Sequence, residues 1–302
     1  MFPTISIIVP NYNHAPFLKQ RLESVFNQTY KDFEVIILDD CSTDNSREIL
    51  LEYAQHPKVS HCVLNKVNSR SPFKQWQKGI ALAKGEYIWI AESDDYCELD
   101  FLENLTKVFL PDTVLAYCKS INVDKNGKTL GLNDWAVSFD KMKWATGHIN
   151  EGKNEIKNYM RYRNCIPNAS AVLFKKSAVD TVFFHNDFYY CGDWFFWLQL
   201  LQKGSVAYCN LPLNFFRRHT LTTRSIKNYL EEKKRFNEYT IIVKRYSSIR
   251  SRMFNFRKYM WIVQEWLTKS SNFKFTQAIT INMPFPLGLI FIQKYLKLKL
   301  KK

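Results

Sequence analysis

The chain has 302 residues, 46% hydrophobic and 24% charged, which is enough apolar material for a substantial core and too much for a disordered chain. Its formal net charge of +15 is unevenly placed: residues 221–302 carry 18 Lys/Arg against 4 Asp/Glu, while residues 1–220 carry 25 against 24. A neutral body with a basic tail argues against a chain-wide nucleic-acid surface and predicts two parts, a chemical module over 1–224 and a helical, basic C-terminal extension over 225–302 that meets something anionic.

The opening MFPTISIIVP has no basic leader and reads as a buried strand, not as a signal peptide. Ile5 to Val9 is an apolar, β-branched run closed by Pro10, and the spacing of Leu18, Leu22 and Val25 after Pro16 predicts a helix. Phe33 to Leu38 repeats the buried-strand pattern and ends in Asp39-Asp40, with Ser42, Thr43 and Asp44 offering caps for a following helix. A third unit runs from a short strand near Cys62 to Leu64 into a helix bearing Phe73, Trp76 and Ile80, with Gly85 expected in a left-handed conformation at its end. Tyr87 to Ala91 is then a strand leading straight into Glu92-Ser93-Asp94-Asp95.

Alternation of this kind implies an α/β fold with a mainly parallel sheet, in which ligands sit beyond the carboxyl ends of the strands. Both acidic clusters fall at such ends. Further on, Val114 to Ile121 and Ser170 to Phe174 read as strands, Lys125 to Lys128 as a tight turn and Asp193 to Gln202 as a helix. Past Arg224 the chain reads as helical, interrupted by Pro284 and Pro286. Seven cysteines, scattered singly without a CxxC pair, fit a reducing compartment, and a cytoplasmic location is expected.

A carboxylate cluster directly after a buried strand suits a hard divalent cation, Mn²⁺ or Mg²⁺, which takes few protein oxygens and leaves room for phosphates and water. The other reading of Asp94 or Asp95 is a cap for a helix beginning near Glu98. Trp76, Trp135 and Trp144 are aromatics that either stack on a sugar or fill the core.

The motifs SIIVPNYN (Ser6 to Asn13), EVIILDDCSTDNS (Glu34 to Ser46), KGIALAKGEYIWIAESDD (Lys78 to Asp95), NASAVLFKK (Asn168 to Lys176), GDWFFWLQLLQKG (Gly192 to Gly204) and FFRRH (Phe215 to His219) stand in this order. Together they resemble the family 2 glycosyltransferases of the GT-A fold over roughly residues 4 to 224. The resemblance implies an inverting, metal-dependent transferase of polysaccharide or lipopolysaccharide biosynthesis that moves a sugar from a nucleotide-sugar donor, UDP-linked by default; the basic tail adds the expectation that the acceptor is a cell-surface glycan or its lipid-linked precursor. It places Asp94 at the metal, with Glu92 in the first position of the family's Asp-x-Asp motif and Ser93 and Asp95 beside it. Asp39 or Asp40 would read the nucleotide base, helped by the loop at Pro10, Asn11 and Tyr12. Arg217, Arg218 and His219 would face the diphosphate. Asp193 matches the catalytic base, and its neighbours Trp194 to Trp197 would partly desolvate it and make it a better proton acceptor.

Two other classes fit the residues less well. A nucleic-acid-binding protein would need basic and aromatic residues interleaved on a recognisable module, which the first 220 residues lack, so no nucleic-acid partner is expected. A sugar-phosphate nucleotidyltransferase would need a Gly-rich basic loop after the first strand, where this chain has NYNHAPF. In the tail, the apolar stretch Met283 to Ile292 followed by Lys294, Lys297, Lys299, Lys301 and Lys302 is too short to span a bilayer. It is expected either to lie peripherally on an anionic membrane face or to pack on the core, and the segment from about Asn272 onward is expected to be dispensable for the chemistry.

Overall fold

A computed structural model describes residues 4–133, 135–179, 188–219, 228–270 and 273–299. The apolar runs become strands. β1 (Ile5–Asn11), β2 (Phe33–Asp39), β3 (Val59–Leu64) and β4 (Tyr87–Ile90) pair in parallel in the order β3-β2-β1-β4. β1 and β2 are buried along their whole length, as strands covered on both faces must be. The crossovers are α1 (Ala15–Phe26), which carries Pro16 in its first turn, α2 (Ser46–Tyr53) and α3 (Pro72–Leu82).

The second half of the sheet is mixed. After β5 (Tyr96–Cys97) and α4 (Phe101–Lys107) come β6 (Thr113–Val123), β7 (Thr129–Leu132), β8 (His148–Glu151), α5 (Gly152–Glu155), β9 (Val172–Lys175), α6 (Gly192–Leu200) and β10 (Ser205–Arg217). β9 lies between β4 and β6 and is antiparallel to both, while β10 runs parallel to β6. The carboxyl ends of β1, β4 and β10 and the amino end of β9 therefore share one edge of the sheet. The expected parallel order holds for the first four strands and for β6 with β10, and the inserted β9 makes the whole sheet mixed.

Two local expectations change and a third is met. Gly85 is not left-handed, because the positive-φ glycines among the described residues are Gly127 and Gly131. Its need for glycine is steric: a Cβ there would meet the Ser6 nitrogen at 2.6 Å and the Ile5 carbonyl carbon at 2.7 Å. Neither Asp94 nor Asp95 caps a helix, since α4 begins at Phe101 with Asp100 as its N-cap. The tight turn forms as expected, with Gly127 at φ 87° and the Asp124 carboxylate accepting from the amides of Asn126 and Lys128.

The C-terminal helices are α7 (Tyr229–Tyr246), α8 (Ile249–Phe254), α9 (Met260–Ser270), α10 (Phe275–Ile279) and α11 (Leu287–Lys299). The expected boundary at 224/225 lies outside the described residues. Asn228 caps α7 by accepting from the Glu231 amide, with Glu231 and Glu232 in the first turn and Lys244 and Arg245 in the last, each charge matching the helix dipole. Phe236, Ile262, Trp266, Leu287 and Phe291 belong to one apolar cluster with Trp197 and Leu198 of α6 and with Ile36 and Leu38 of the sheet. The extension thus shares its core with the body. Of the two alternatives for the tail, packing on the core is met by the inner face of α11, and its outer face is exposed.

Gly85→Ala is expected to destabilise the protein by about 2 kcal/mol, the usual size of an overpacking penalty where backbone must give way. Urea unfolding measures this, and a loss below roughly 0.5 kcal/mol would show that the β1 edge can yield.

Candidate active site

One cleft of about 430 Å³ opens at that shared edge of the sheet. His14 enters it from the loop after β1, where it is the N-cap residue of α1, and Asp94 enters from the loop after the adjacent strand β4. His219 follows β10, which lies several strands away, and the short β5 accounts for its arrival. Directly after the acidic loop, Tyr96 and Cys97 pair antiparallel with Phe215 and Asn214 of β10, which draws the end of that strand onto the loop.

Three hydrogen bonds fix the junction. Asp95 accepts from the Arg217 amide (2.9 Å) and from Asn168 Nδ2 (2.8 Å), and Arg217 Nε donates to the Asp94 carbonyl (2.8 Å). As a result, His219 Nε2 lies 3.0 Å from Asp94 Oδ2. His14 Nδ1 lies 2.8 Å from Ser93 Oγ. One donor atom from each of His14, Asp94 and His219 falls within 4.8 Å of the others. Ligands of one ion at roughly 2.1 Å each must stand within about 4.2 Å of one another, so small side-chain shifts would let the three hold a divalent cation.

Electrostatics agree with that set. Burial opposes ionisation of Asp94, but the neighbouring His14 and the hydrogen bond and charge of His219 outweigh it and hold the carboxyl well below its usual range. His14 is itself shifted below 6.5 by burial, against the pull of Asp94, which favours the neutral ring that a metal ligand requires. Burial and the charge of Asp94 push Glu92 up to about 8 and push Asp95 upward too. Ionisation is therefore easiest at Asp94 and harder at Glu92 and Asp95, although the buried Arg21 favours the charged form of both.

Among the expected residues Asp39 lies off the cleft, while Asp40, Glu92, Arg217 and Arg218 line it with partners of their own. Asp39 does not line the cleft: it is fully buried and accepts from Asn11 Nδ2, the Ser42 amide and Arg47 Nε, which order the loop after β2. Asp40 does line the cleft, its carboxylate held by Asn65, Ser69 and Gln75. Glu92 accepts from Trp76 Nε1 (2.8 Å), which ties α3 to the acidic loop. Arg217, expected at the diphosphate, is 2% exposed, and its guanidinium donates to the Asp94 carbonyl, the Lys125 carbonyl and Gln20 Oε1. It braces the corner through neutral oxygens and also lines the cleft. Arg218 stands exposed at the rim, its Nε donating to Asn122 Oδ1. Pro10, Asn11 and Tyr12 line the cleft as expected.

Asp193 opens on the same cleft from the first turn of α6 and is half-buried. Its Oδ1 accepts from the Trp194 amide (2.7 Å) and its Oδ2 from Asn164 Nδ2 (3.2 Å). The aromatic run that follows turns into the core, with Trp194 and Trp197 almost fully buried. Trp76 and Trp144 are core residues as well, and the Trp135 side chain lies outside the described residues. Sequence reasoning missed His14, Tyr189 and Tyr190, all of which line the cleft. The position of His14 in the loop after β1, neighbouring the acidic loop after β4, is the signal that would have found it.

The family model for glycosyl transferase family 2 matches residues 6–183. The chain belongs to that family. It is 33% identical over 178 residues to the chondroitin synthase of Pasteurella multocida (strain Pm70), a match that covers 53% of this chain and 18% of that protein. The structure superposes on Staphylococcus aureus TarS 1–349 in complex with UDP-GlcNAc with a TM-score of 0.60 at 17% identity, covering 97% of this chain and 81% of that one. It also resembles the Pyrobaculum calidifontis mannosyltransferase PcManGT in complex with GDP-Man and Mn²⁺, with a TM-score of 0.55 at 12% identity over 99% of this chain and 81% of that one. These likenesses define the fold as that of GT-A glycosyltransferases.

His14→Ala is expected to weaken Mn²⁺ binding, measured by calorimetry in the presence of UDP, at least tenfold, and Asp94→Asn to abolish it. Equal Mn²⁺ affinity in both variants and in the wild type would remove the three-residue metal site.

Proposed function

We propose that the protein transfers a sugar from a nucleotide-sugar donor, UDP-linked by preference, to a hydroxyl of a cell-surface glycan or its lipid-linked precursor, with inversion at the anomeric carbon. The observation that carries this reading is one cleft lined both by the His14, Asp94 and His219 set and by the half-buried Asp193. The first could hold the ion of a donor diphosphate and the second could activate an acceptor. Two imidazoles beside one carboxylate favour Mn²⁺ over Mg²⁺, which prefers oxygen ligands. A bound divalent ion would neutralise the two phosphates as the sugar departs.

The residues of the chain divide the remaining work. Asp40, Pro10, Asn11 and Tyr12 would form the nucleotide end, with Asp39 holding that loop from behind. Ser93 fixes the His14 ring, and Arg218 at the rim would meet phosphate oxygens. Asp193, oriented by Asn164 and its own helix turn, would take the proton of the acceptor hydroxyl as the new bond forms. One base, with no second carboxylate acting as nucleophile, corresponds to a single displacement.

The tail would hold the enzyme at an anionic membrane surface on the cytoplasmic side. Leu289, Ile292 and Leu296 recur along α11 on the side away from the buried Leu287, Phe291 and Tyr295, with Lys297 and Lys299 also exposed. No described helix is long and apolar enough to cross a membrane. An exposed apolar stripe flanked by lysines suits the interface of an anionic leaflet.

Asp193→Asn is expected to lower kcat by at least about a hundredfold and leave UDP affinity within twofold of wild type, because asparagine keeps the shape but cannot take a proton. A thermal-shift screen of UDP-sugars with Mn²⁺ selects the donor, UDP release measures turnover, and NMR reads the product anomer. Activity above a tenth of wild type, or retention of anomeric configuration, would overturn the assignment. Replacing Leu289, Ile292 and Leu296 together with serine is expected to abolish cosedimentation with phosphatidylserine vesicles at low salt while UDP release continues, and undiminished cosedimentation would refute the membrane face.

A further inference from the structure

Asp193 is set by the turn that precedes α6. In that turn three consecutive backbone amides, of Tyr189, Tyr190 and Cys191, point at a single carboxylate. Glu238, in the middle of α7, accepts from Tyr189 at 2.9 Å through Oε1 and from Tyr190 and Cys191 at 2.8 Å each through Oε2. Its residue is only 4% exposed. From the other side Gly192 is pressed against α3, where a Cβ would come 2.4 Å from Phe73 Cε2. The turn is thus gripped between two helices, one of them from the basic extension.

The grip extends to the cleft wall. Tyr189, Tyr190 and Asp193 all line the cleft, and Lys234, one turn before Glu238 on α7, places its ammonium 5.2 Å from the Tyr189 ring centroid. Consecutive amides in a turn form a concave donor set that suits an anion, and here the chain supplies the anion itself. An ionised carboxylate, which accepts and never donates, satisfies all three. These charge-assisted bonds lie just ahead of the α6 N-terminus, where a negative charge is also favoured by the helix dipole.

We propose that Glu238 is a positioning residue for the transfer reaction, holding the Tyr189–Cys191 backbone so that Asp193 and the two tyrosines face the acceptor. The inference rests on the reading of Asp193 as the base. It gives the extension a part in the chemistry, although Glu238 itself does not touch the cleft. The donor side is built on His14, Asp40, Asp94 and His219, which belong to other segments of the chain, so the effect is expected to fall on turnover more than on nucleotide affinity.

Glu238→Gln and Glu238→Asp made in the full chain separate the possibilities. Glutamine keeps the size but turns an NH₂ toward amide donors, and kcat for UDP release is expected to fall roughly tenfold to a hundredfold, the scale of a small misplacement of a reacting group. UDP affinity in Mn²⁺ should stay within twofold, and exchange of the 189–191 amides should quicken at least tenfold while that of Phe196 to Leu200 does not. Aspartate keeps the charge but draws it back by one methylene, and an intermediate kcat, two- to fivefold below wild type, is expected. Wild-type kcat in the glutamine variant, or kcat and UDP affinity falling together, would overturn the proposal. Should the glutamine variant fail to fold, the aspartate variant decides alone, and wild-type kcat or a parallel loss of UDP affinity overturns the idea. An Asp193→Asn control with retained activity would instead indict the reading of the base, whatever Glu238 does.

Discussion

The site depends on one junction, the tie between the acidic loop after β4 and the end of β10. Asp95 accepts the Arg217 amide, and the Arg217 side chain reaches back to the Asp94 carbonyl. These groups are buried, so each bond replaces water that the site would otherwise need, and losing one partner would leave the other stranded at a cost of about 1–3 kcal/mol. Without the junction His219 would have no reason to stand beside Asp94, because β10 is separated from β4 by β9 and β6. Arg217 at the end of β10 and His219 just beyond it therefore divide the work, with Arg217 building the corner and His219 occupying it.

The same junction sorts the charges of the cluster. Burial alone would favour the protonated form of every acid there. Asp94 escapes because His14 and His219 face it, whereas Glu92 meets an indole N–H and Asp95 an amide and a carboxamide, with the charge of Asp94 close to both. A cluster that looks strongly negative in the sequence is thus arranged so that Asp94 ionises most readily. Such an arrangement would suit a single ion and an anionic ligand together.

Much of the fold was legible in the sequence because buried parallel strands leave unbroken apolar runs. Ile5 to Val9, Phe33 to Leu38 and Tyr87 to Ala91 were read as strands, and each forms one or most of one. The family resemblance gave Asp94 and Asp193 roles in one reaction, and both line the cleft. What could not be read were contacts made across long stretches of chain. The approach of His219 to Asp94 spans 125 positions and that of His14 to Ser93 spans 79. Local pattern also cannot tell which of two adjacent aspartates faces a ligand: Asp39 turns back into its loop and Asp40 lines the cleft only because Asn11 and Arg47 capture the first and Asn65, Ser69 and Gln75 the second. Gly85 illustrates a third limit, since its requirement comes from the approach of β1 and not from its own backbone angle.

The extension looks separable by charge and is inseparable by packing. Its excess of Lys/Arg marks it off from the neutral body, yet Phe236, Trp266, Leu287 and Phe291 complete the core beneath α6. Removing α10 and α11 would take the buried Ala278, Met283, Leu287 and Phe291 out of the shared core and uncover the face of α9 they pack on, including Trp266, whose indole N–H donates to the Ala278 carbonyl, so a chain cut near residue 272 would expose apolar surface and not merely lose an anchor. The expectation of a dispensable tail therefore gives way to a division by face. The inner faces of α7 and α11 belong to the body: Glu238 looks inward to the turn before Asp193, and Phe291 fills the core. The outer face of α11, with Leu289 and Lys297, is exposed. Substitutions on that face leave the core residues in place, whereas a deletion confounds anchoring with folding.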